Sequence, residues 1–184
     1  MEPIYLRALE LSDLERTYKW HNDPELYKTL LGTFHYASRT TEEEWLRKKT
    51  AYSPSEVNLA VCVRGTDAHI GNFYITNIDW VSRVAALGML IGEPVERGKG
   101  YGTTALRLML DYVFGVLGLN RVWAGVLEDN PASLRILEKC DFKMEGRLRK
   151  HAFKEGKFKD VLILAFCASD WQPPEESSRA AGRQ

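Results

Sequence analysis

The sequence predicts an α/β (α+β) domain with a mixed, twisted sheet of about seven strands and helices on both faces. Three observations predict it. A nearly continuous apolar strand at 84–91 runs into a glycine-rich turn, which is followed by a helix with one wide apolar stripe. A second strand and helix follow at 121–140, and the two strands of such a βαβα unit run parallel. Segments with strand-like alternation lie on either side of the unit.

Short helices and strands precede this unit. Ser12 to Glu15 reads as a capping box and predicts a helix to about residue 20. Asp23-Pro24 predicts a second short helix over 25–31, and Thr41 to Glu44 predicts the start of a third. Period-two alternation predicts strands at 4–9, 57–64 and 70–78.

Two further strands, 142–149 and 158–166, close the domain around a turn at Glu155-Gly156-Lys157. The remaining residues are rich in proline, glutamate, serine and small residues and have no periodicity. We therefore expect one domain over 1–169 and a disordered tail over 170–184.

Composition excludes several classes of protein. Lys plus Arg and Asp plus Glu both number 25, so no net charge favours nucleic acid or an anionic membrane. The three cysteines, Cys62, Cys140 and Cys167, lie far apart in apolar runs, which favours reduced buried thiols over a disulfide or a metal site. The first residues do not resemble a signal peptide, and no apolar run approaches the ~20 residues that span a bilayer. We expect a cytoplasmic protein without a membrane partner.

The glycine-rich turn is the strongest functional signal. Gly98, Gly100 and Gly102 alternate with Lys99 and Tyr101, so successive backbone N–H groups can turn toward one point. The helix that begins near residue 103 adds unpaired N–H groups and the positive end of its dipole, which suits a pyrophosphate. The spacing matches neither a Walker loop nor the dinucleotide-binding fingerprint. An ordinary glycine turn remains the alternative.

Two segments carry a resemblance to a known family. Arg97 to Gly102, Arg-x-x-Gly-x-Gly, resembles the coenzyme A pyrophosphate loop of the GCN5-related N-acetyltransferases. About thirty residues later, Asn130, Ser133 and an apolar stripe ending in Glu-Lys and a phenylalanine resemble the second signature of that family. Trp20-His21-Asn22-Asp23-Pro24 and Glu145-Gly146 resemble its ribosomal-protein-alanine and spermidine branch. The resemblance covers about residues 4–166.

The resemblance implies an enzyme that moves acetyl from acetyl-CoA to a primary amine by direct attack in a ternary complex, without a metal. It implies that strands 87–91 and 121–127 splay apart, leaving backbone groups for the pantetheine arm, and that an N–H near Met89 polarises the thioester carbonyl. Helix capping is an alternative role for Asn130. A position on a solvated helix face is the alternative for Lys139. The implied cofactor-binding residues are Met89, Leu90, Ile91, Arg97, Gly98, Lys99, Gly100, Tyr101, Gly102, Thr103, Asn130, Ser133 and Lys139.

The catalytic groups depart from the family pattern. Many members place a tyrosine acid where this chain has Leu137, and the related branch often places carboxylates where it has Ala86 and Thr104. We expect Ser133 to protonate the thiolate, with a helix first-turn role as its alternative. Glu93 is our candidate base, with a solvated turn residue as its alternative.

The acceptor cleft should be walled by the early helices and loops. We expect Trp20, Tyr36 and His151 to contact the acceptor, although such aromatics are often core and His151 has a structural alternative in the last hairpin. His151 and Asp160 are also alternative bases.

The sequence does not select one acceptor among a protein N-terminus, an amino sugar, an aminoglycoside and a polyamine. Neutralising an alkylamine at pH 7 costs about 4.6 kcal/mol and an α-amine about 1 kcal/mol, so a poor base favours the weaker amine. A non-catalytic acyl-CoA-binding or sensing module is one alternative, and a nucleotide-binding α/β protein is another. Apolar residues 161–166 in the last strand suggest a possible homodimer.

Overall fold

The structure is a computed structural model that describes residues 2–174. Its seven strands form a single sheet in the order β1-β2-β3-β4-β5-β7-β6. The strands are β1 Ile4–Ala8, β2 Val57–Val63, β3 His69–Asp79, β4 Val84–Ile91, β5 Arg121–Leu127, β6 Lys143–Lys154 and β7 Lys157–Cys167. Among them β4 and β5 pair in parallel and all other neighbours are antiparallel. The predicted mixed sheet is confirmed.

Helices cover both faces of this sheet. They are α1 Leu14–His21, α2 Pro24–Tyr27, α3 Arg39–Thr50, α4 Tyr101–Gly115 and α5 Pro131–Glu138. Successive residues of β2 show the two faces: Val61 packs in the main core with α4, whereas Ala60 and Cys62 pack against Leu46 of α3. The prediction of helices on both faces of the sheet is therefore confirmed.

The parallel pair splays as predicted. Pairing between β4 and β5 covers Val84–Ala86 and Arg121–Trp123 and then stops. Beyond that point Leu87–Ile91 pairs with β3, and Ala124–Leu127 pairs with β7. A gap therefore opens between the carboxyl-terminal halves of the two strands, with backbone groups on its inner edges that have no neighbouring strand.

Two helices begin at residues other than those predicted. The turn before α1 is a 3-10 turn, Leu11–Asp13, in which the Asp13 carboxylate accepts the Glu10 N–H at 2.9 Å. The third helix begins at Arg39, since Ser38 is the cap and its hydroxyl accepts the Thr41 N–H. Cap-forming residues are frequent in both segments, so the local pattern did not select between neighbouring caps.

The last hairpin also differs from its predicted bounds. Strand β6 continues to Lys154 through a register shift between Leu148 and Ala152. Lys150 has a φ of 52° there, and its N–H donates to the Asp160 carboxylate at 2.8 Å. A bulge interrupts the alternation of apolar and polar side chains, so the strand predicted from this alternation ended at residue 149 instead of 154.

Strand β7 lies in the interior of the sheet, between β5 and β6. Val161, Leu164 and Phe166 are buried within the domain. The buried side chains of 161–166 therefore belong to the core of the domain, and the possible homodimer stays a prediction.

The chain remains packed beyond residue 169. A 3-10 turn, Ala168–Asp170, leads to Trp171, whose indole N–H donates to Asp111 at 3.0 Å and whose ring lies 6.0 Å from that of Phe114. The predicted tail thus begins with a packed segment in which Trp171 contacts α4, and its residues 175–184 lie outside the described part of the chain. The three cysteines are free, two of them buried. No helix within residues 2–174 is long and apolar enough to cross a membrane.

Candidate active site

The glycine-rich loop joins a 3-10 turn, Pro94–Glu96, to the first turn of α4. Gly98 and Gly100 have φ values of 78° and 84°, a conformation that L side chains rarely adopt. Gly102 has a different role: a Cβ there would lie 2.7 Å from Cδ1 of Ile136, so this glycine lets α4 approach α5 closely. Two of the three alternating glycines therefore shape the loop, and the third serves helix packing.

The loop presents a run of free amides. Within residues 2–174 no acceptor is found for the backbone N–H groups of residues 98–103, and the first bonded amide is that of Thr104, which donates to Gly100 O at 3.1 Å. Six successive donors at a helix N-terminus form a cradle for an anion. In an ordinary turn these amides would donate to other groups of the protein, and within residues 2–174 they do not.

Arg97 and Lys99 hold the loop in place. Arg97 Nε donates to Ile91 O at 3.0 Å, and its Nη2 donates to Gly92 O at 3.3 Å. Lys99 pairs with Glu96 at 2.8 Å. The guanidinium thus ties the loop to the end of β4.

A cavity of about 640 Å³ lies at the gap between β4 and β5. Its walls include both inner strand ends, one face of α5, and residues from α1, α2 and α3. Apolar and aromatic side chains dominate, among them Tyr27, Trp45, Phe73, Tyr74 and Trp123. The run of free amides, the strand gap and this cavity together suit a ligand with a charged head and an extended arm.

Comparison with known proteins decides the assignment. Residues 4–143 match the sequence profile described as "Acetyltransferase (GNAT) domain". The chain belongs to the GNAT acetyltransferase family. It is an N-acetyltransferase that uses acetyl-CoA as its acetyl donor and an amine as its acceptor.

Relatives match over nearly the whole chain. The probable N-acetyltransferase YjcK of Bacillus subtilis is 29% identical, covering 91% of this chain and 95% of that protein. The crystal structure of spermidine N-acetyltransferase from Vibrio cholerae in complex with CoA and spermine has a TM-score of 0.84 at 27% identity, covering 91% and 96%. A dodecameric structure of the Vibrio cholerae spermidine N-acetyltransferase has a TM-score of 0.79 at 26% identity, covering 95% and 99%.

The acetyltransferase brings several predicted residues to the cavity. Met89, Leu90, Asn130 and Ser133 line it, and Leu137 occupies the position where many family members have tyrosine. Ile91 lies at the strand end, where its carbonyl accepts Arg97 Nε.

Asn130 and Ser133 form one hydrogen-bonded unit at the start of α5. Asn130 Oδ1 accepts the Ser133 N–H at 3.0 Å, so the predicted helix cap is present. Asn130 Nδ2 donates to Ser133 Oγ and to Thr29 O, each at 2.9 Å. Because Oγ accepts from Asn130, the hydroxyl proton of Ser133 is left to point elsewhere, and the side chain lines the cavity.

Trp20 and Glu93 lie away from the cavity wall. Trp20 is 1% exposed and packs so closely on Gly92 that a Cβ there would lie 2.2 Å from the indole. Its Nε1 donates to Glu93, which also accepts from Lys19 and Arg16. Burial raises the pKa of Glu93, but these donors outweigh it and hold the pKa below its usual value. The structure thus makes Trp20 a core residue and leaves Glu93 neutralised by cations, a poor base.

The other predicted contacts are also distant from the cavity. Tyr36 is 84% exposed and packs edge-on against Phe34, with ring centroids 4.9 Å apart. His151 and Lys139 are exposed on β6 and at the end of α5, and neither lines the cavity. The early helices instead contribute His21, Tyr27 and Trp45 to the lining of the cavity.

The cavity includes a residue that sequence reasoning did not assign. His21, the last residue of α1, lines it, and its Nδ1 lies 2.7 Å from Oε2 of Glu42 in α3. Glu42 lies in the first turn of α3 and is 1% exposed. The sequence shows a histidine directly after Trp20. Its pairing with Glu42 is visible only in the folded structure.

Proposed function

We propose that the free amides of residues 98–103 bind the diphosphate of acetyl-CoA and that the inner edge of β4, residues 87–91, pairs with its pantetheine amides. Acetyl-CoA supplies an activated acetyl thioester. Six unpaired N–H donors and a strand edge without a neighbour support this assignment. Ser133 is our candidate for the group that protonates the departing thiolate, since its hydroxyl lines the cavity and its oxygen is already fixed by Asn130.

We further propose that the acceptor is a single primary amine carried on an apolar or aromatic group, with a peptide or amino-acid α-amine as the first choice. One observation carries this proposal: none of the described residues that line the cavity is an aspartate or a glutamate. A polyamine brings two or more positive charges, and burying each without a carboxylate partner is costly. An α-amine of pKa about 7.7 needs only about 1 kcal/mol to become neutral at pH 7.

Lys49 adds to this preference. Its side chain lines the cavity and pairs with Glu56 at the surface end of α3. A cation at the cavity wall disfavours a second positive charge on the acceptor. Spermidine, the substrate named for the Vibrio cholerae relative, is therefore not our first choice for this chain.

The test is acetyl-CoA consumption with a panel of peptide N-termini, amino acids, amino sugars, aminoglycosides and polyamines. We expect kcat/KM for the best α-amine to exceed that for spermidine at least tenfold. A higher kcat/KM for spermidine would contradict the proposed acceptor class. Binding of acetyl-CoA without turnover of any amine would instead support the acyl-CoA-sensing alternative.

We also propose that the protein forms homo-oligomers. The dodecameric relative supports this, as does the position of β6 at the edge of the sheet, where Met144 and Phe153 are exposed. Edge strands with exposed apolar residues readily pair with other chains. Size-exclusion chromatography with light scattering tests it, and a mass of 21.0 kDa at micromolar concentration would contradict it.

A further inference from the structure

The sequence and the comparisons leave this acetyltransferase without an assigned general base. The expected carboxylate positions hold Ala86 and Thr104, and Glu93 is engaged by Lys19, Arg16 and Trp20. An ammonium ion cannot attack a thioester until it loses a proton. A proton acceptor should therefore lie on the wall of the acceptor cavity.

We propose that His21 is that base and that Glu42 is the positioning residue that orients it. This inference rests on the proposed function, since it places the acceptor amine in this cavity. His21 lines the cavity, and its Nδ1 faces the buried Glu42 carboxylate at 2.7 Å. A carboxylate accepts hydrogen bonds, so Nδ1 carries the proton and the neutral ring keeps its lone pair on Nε2.

Nε2 of His21 is free for a ligand. No hydrogen-bond partner is found for it within residues 2–174. It is also not one of the side-chain atoms that are both buried and without a hydrogen-bond partner. The ring is held edge-on against Trp45, with centroids 4.4 Å apart at 87°. Two fixed contacts thus set the ring orientation and leave one basic nitrogen free on a residue that lines the cavity.

His69 provides a contrast within the same fold. Its Nε2 lies 2.9 Å from Gly71 O and 2.8 Å from Asn72 Oδ1, and its Nδ1 lies 3.0 Å from Asp13. His69 is 5% exposed, so both of its ring nitrogens are enclosed by protein groups, although its Nδ1 makes no hydrogen bond. In His21 one nitrogen faces Glu42, and the other has no protein neighbour at hydrogen-bond distance within residues 2–174.

The surroundings of the pair suit the charge that forms when His21 takes a proton from the acceptor. Glu42 lies in the first turn of α3 and His21 in the last turn of α1, so the two helix dipoles stabilise a carboxylate and an imidazolium respectively. Among the described residues no partner is found for the buried Glu42 Oε1. The proton that Nε2 takes during the reaction therefore places a positive charge beside a buried carboxylate, as in the histidine–aspartate pair of a serine protease.

The proton transfers balance. The Nε2 lone pair takes one proton from the acceptor ammonium, and the electron pair left on nitrogen forms the new bond to the acetyl carbon as the carbon–sulfur bond breaks. The second proton that the amine loses ends on the coenzyme A sulfur, through the Ser133 hydroxyl. The proton on His21 passes to water before the next turnover.

Other ionisable groups face the same ring or cavity. Tyr27 of α2 lies 6.5 Å from His21 between ring centroids, and Lys49 of α3 and Tyr74 of β3 line the cavity. Burial raises the pKa of both tyrosines, so they stay neutral through the range in which a histidine titrates. Neither tyrosine is therefore a candidate base at neutral pH.

The experiment compares wild type with His21→Gln and Glu42→Gln, using His35→Gln and Glu43→Gln as matched controls at exposed or half-exposed sites. The acceptor is whichever panel amine gives the highest kcat/KM. We expect His21→Gln to lower kcat/KM at pH 7 at least 100-fold and to remove the ascending limb of its pH profile, with the acetyl-CoA Kd unchanged. The controls should stay within threefold of wild type.

A second readout does not depend on turnover. Nitrogen-15 NMR of the histidine rings should show His21 as the Nδ1–H tautomer when neutral, and Glu42→Gln should lower its titration midpoint. An acceptor of pKa below 7 should show a much smaller His21→Gln defect, because it is already neutral. Folded His21→Gln with wild-type kcat/KM, or a His21 midpoint that Glu42→Gln leaves unchanged, would overturn the proposal. A polyamine as best acceptor would refute only the proposed acceptor class.

Discussion

Nζ of Lys154 donates to the backbone carbonyl oxygen of Tyr27 at 3.0 Å, although the two residues are 127 positions apart. The same ammonium donates to Gly32 O. Lys154 is 8% exposed, and burial, with a smaller effect from the charge of Lys159, lowers its pKa. The last hairpin thereby holds the segment 27–32, most of which lines the acceptor cavity.

Lys154→Met tests this connection. Methionine keeps most of the length and the apolar stem but leaves two carbonyl groups without their donor. We expect a loss of stability of about 2 kcal/mol and a rise in KM for the acceptor with little change in the acetyl-CoA Kd. Thermal unfolding and steady-state kinetics measure both, with exposed Lys157→Met as the control. An unchanged acceptor KM would show that segment 27–32 is held by other contacts.

Gly100→Ala tests the amide cradle. A Cβ at Gly100 would meet no atom within 4 Å, so its effect comes from the positive φ of 84° alone. We expect about 1–2 kcal/mol of strain, relieved by a loop shift that weakens acetyl-CoA binding at least tenfold by calorimetry. Gly146→Ala is the control, since Gly146 also has open space but no positive φ. Equal Kd values for the two variants would argue against the cradle.

Ser133→Ala tests the proposed acid. Asn130 Oδ1 accepts the backbone N–H of residue 133, so the helix cap survives the substitution. We expect kcat to fall by about 10- to 100-fold, with acetyl-CoA affinity and melting temperature near those of wild type. Ser169→Ala, an exposed serine outside the cavity, should leave kcat unchanged. Wild-type kcat in Ser133→Ala would assign the sulfur proton to another donor.

Asp13 should control acid stability. Burial raises its pKa, but hydrogen bonds from Arg7, His69 and the Glu10 amide outweigh burial and hold the pKa well below its usual value. A carboxyl with a depressed folded-state pKa contributes stability above its unfolded pKa of about 3.9 and loses it as pH falls further. We therefore expect wild-type stability to drop below about pH 4.

Asp13→Asn should remove most of this acid dependence and cost about 3–5 kcal/mol at pH 7, because it leaves the Arg7 guanidinium without its carboxylate partner. Urea unfolding at several pH values measures both effects. Asp129→Asn, at an exposed carboxyl, is the control. Parallel pH curves for wild type and Asp13→Asn would contradict the assignment.

Local sequence patterns determined the frame of this protein. Apolar runs, helix stripes and the glycine spacing predicted the βαβα unit, the helices that cover the sheet and the turn before α4, and the family resemblance implied the splayed strands; the structure has each of them. Each of these features depends on residues within one element or two adjacent ones, where periodicity and backbone conformation act directly. The two family signatures also lie within short segments.

Tertiary structure alone decided which side chains reach the cavity. Trp20 looked like an acceptor contact but fills the space left by Gly92, and Glu93 is neutralised by cations from α1. Glu42 is buried beside His21, 21 positions away in the sequence. Burial and charge pairing depend on which distant segments the fold brings together, and composition or spacing within one segment does not contain that information.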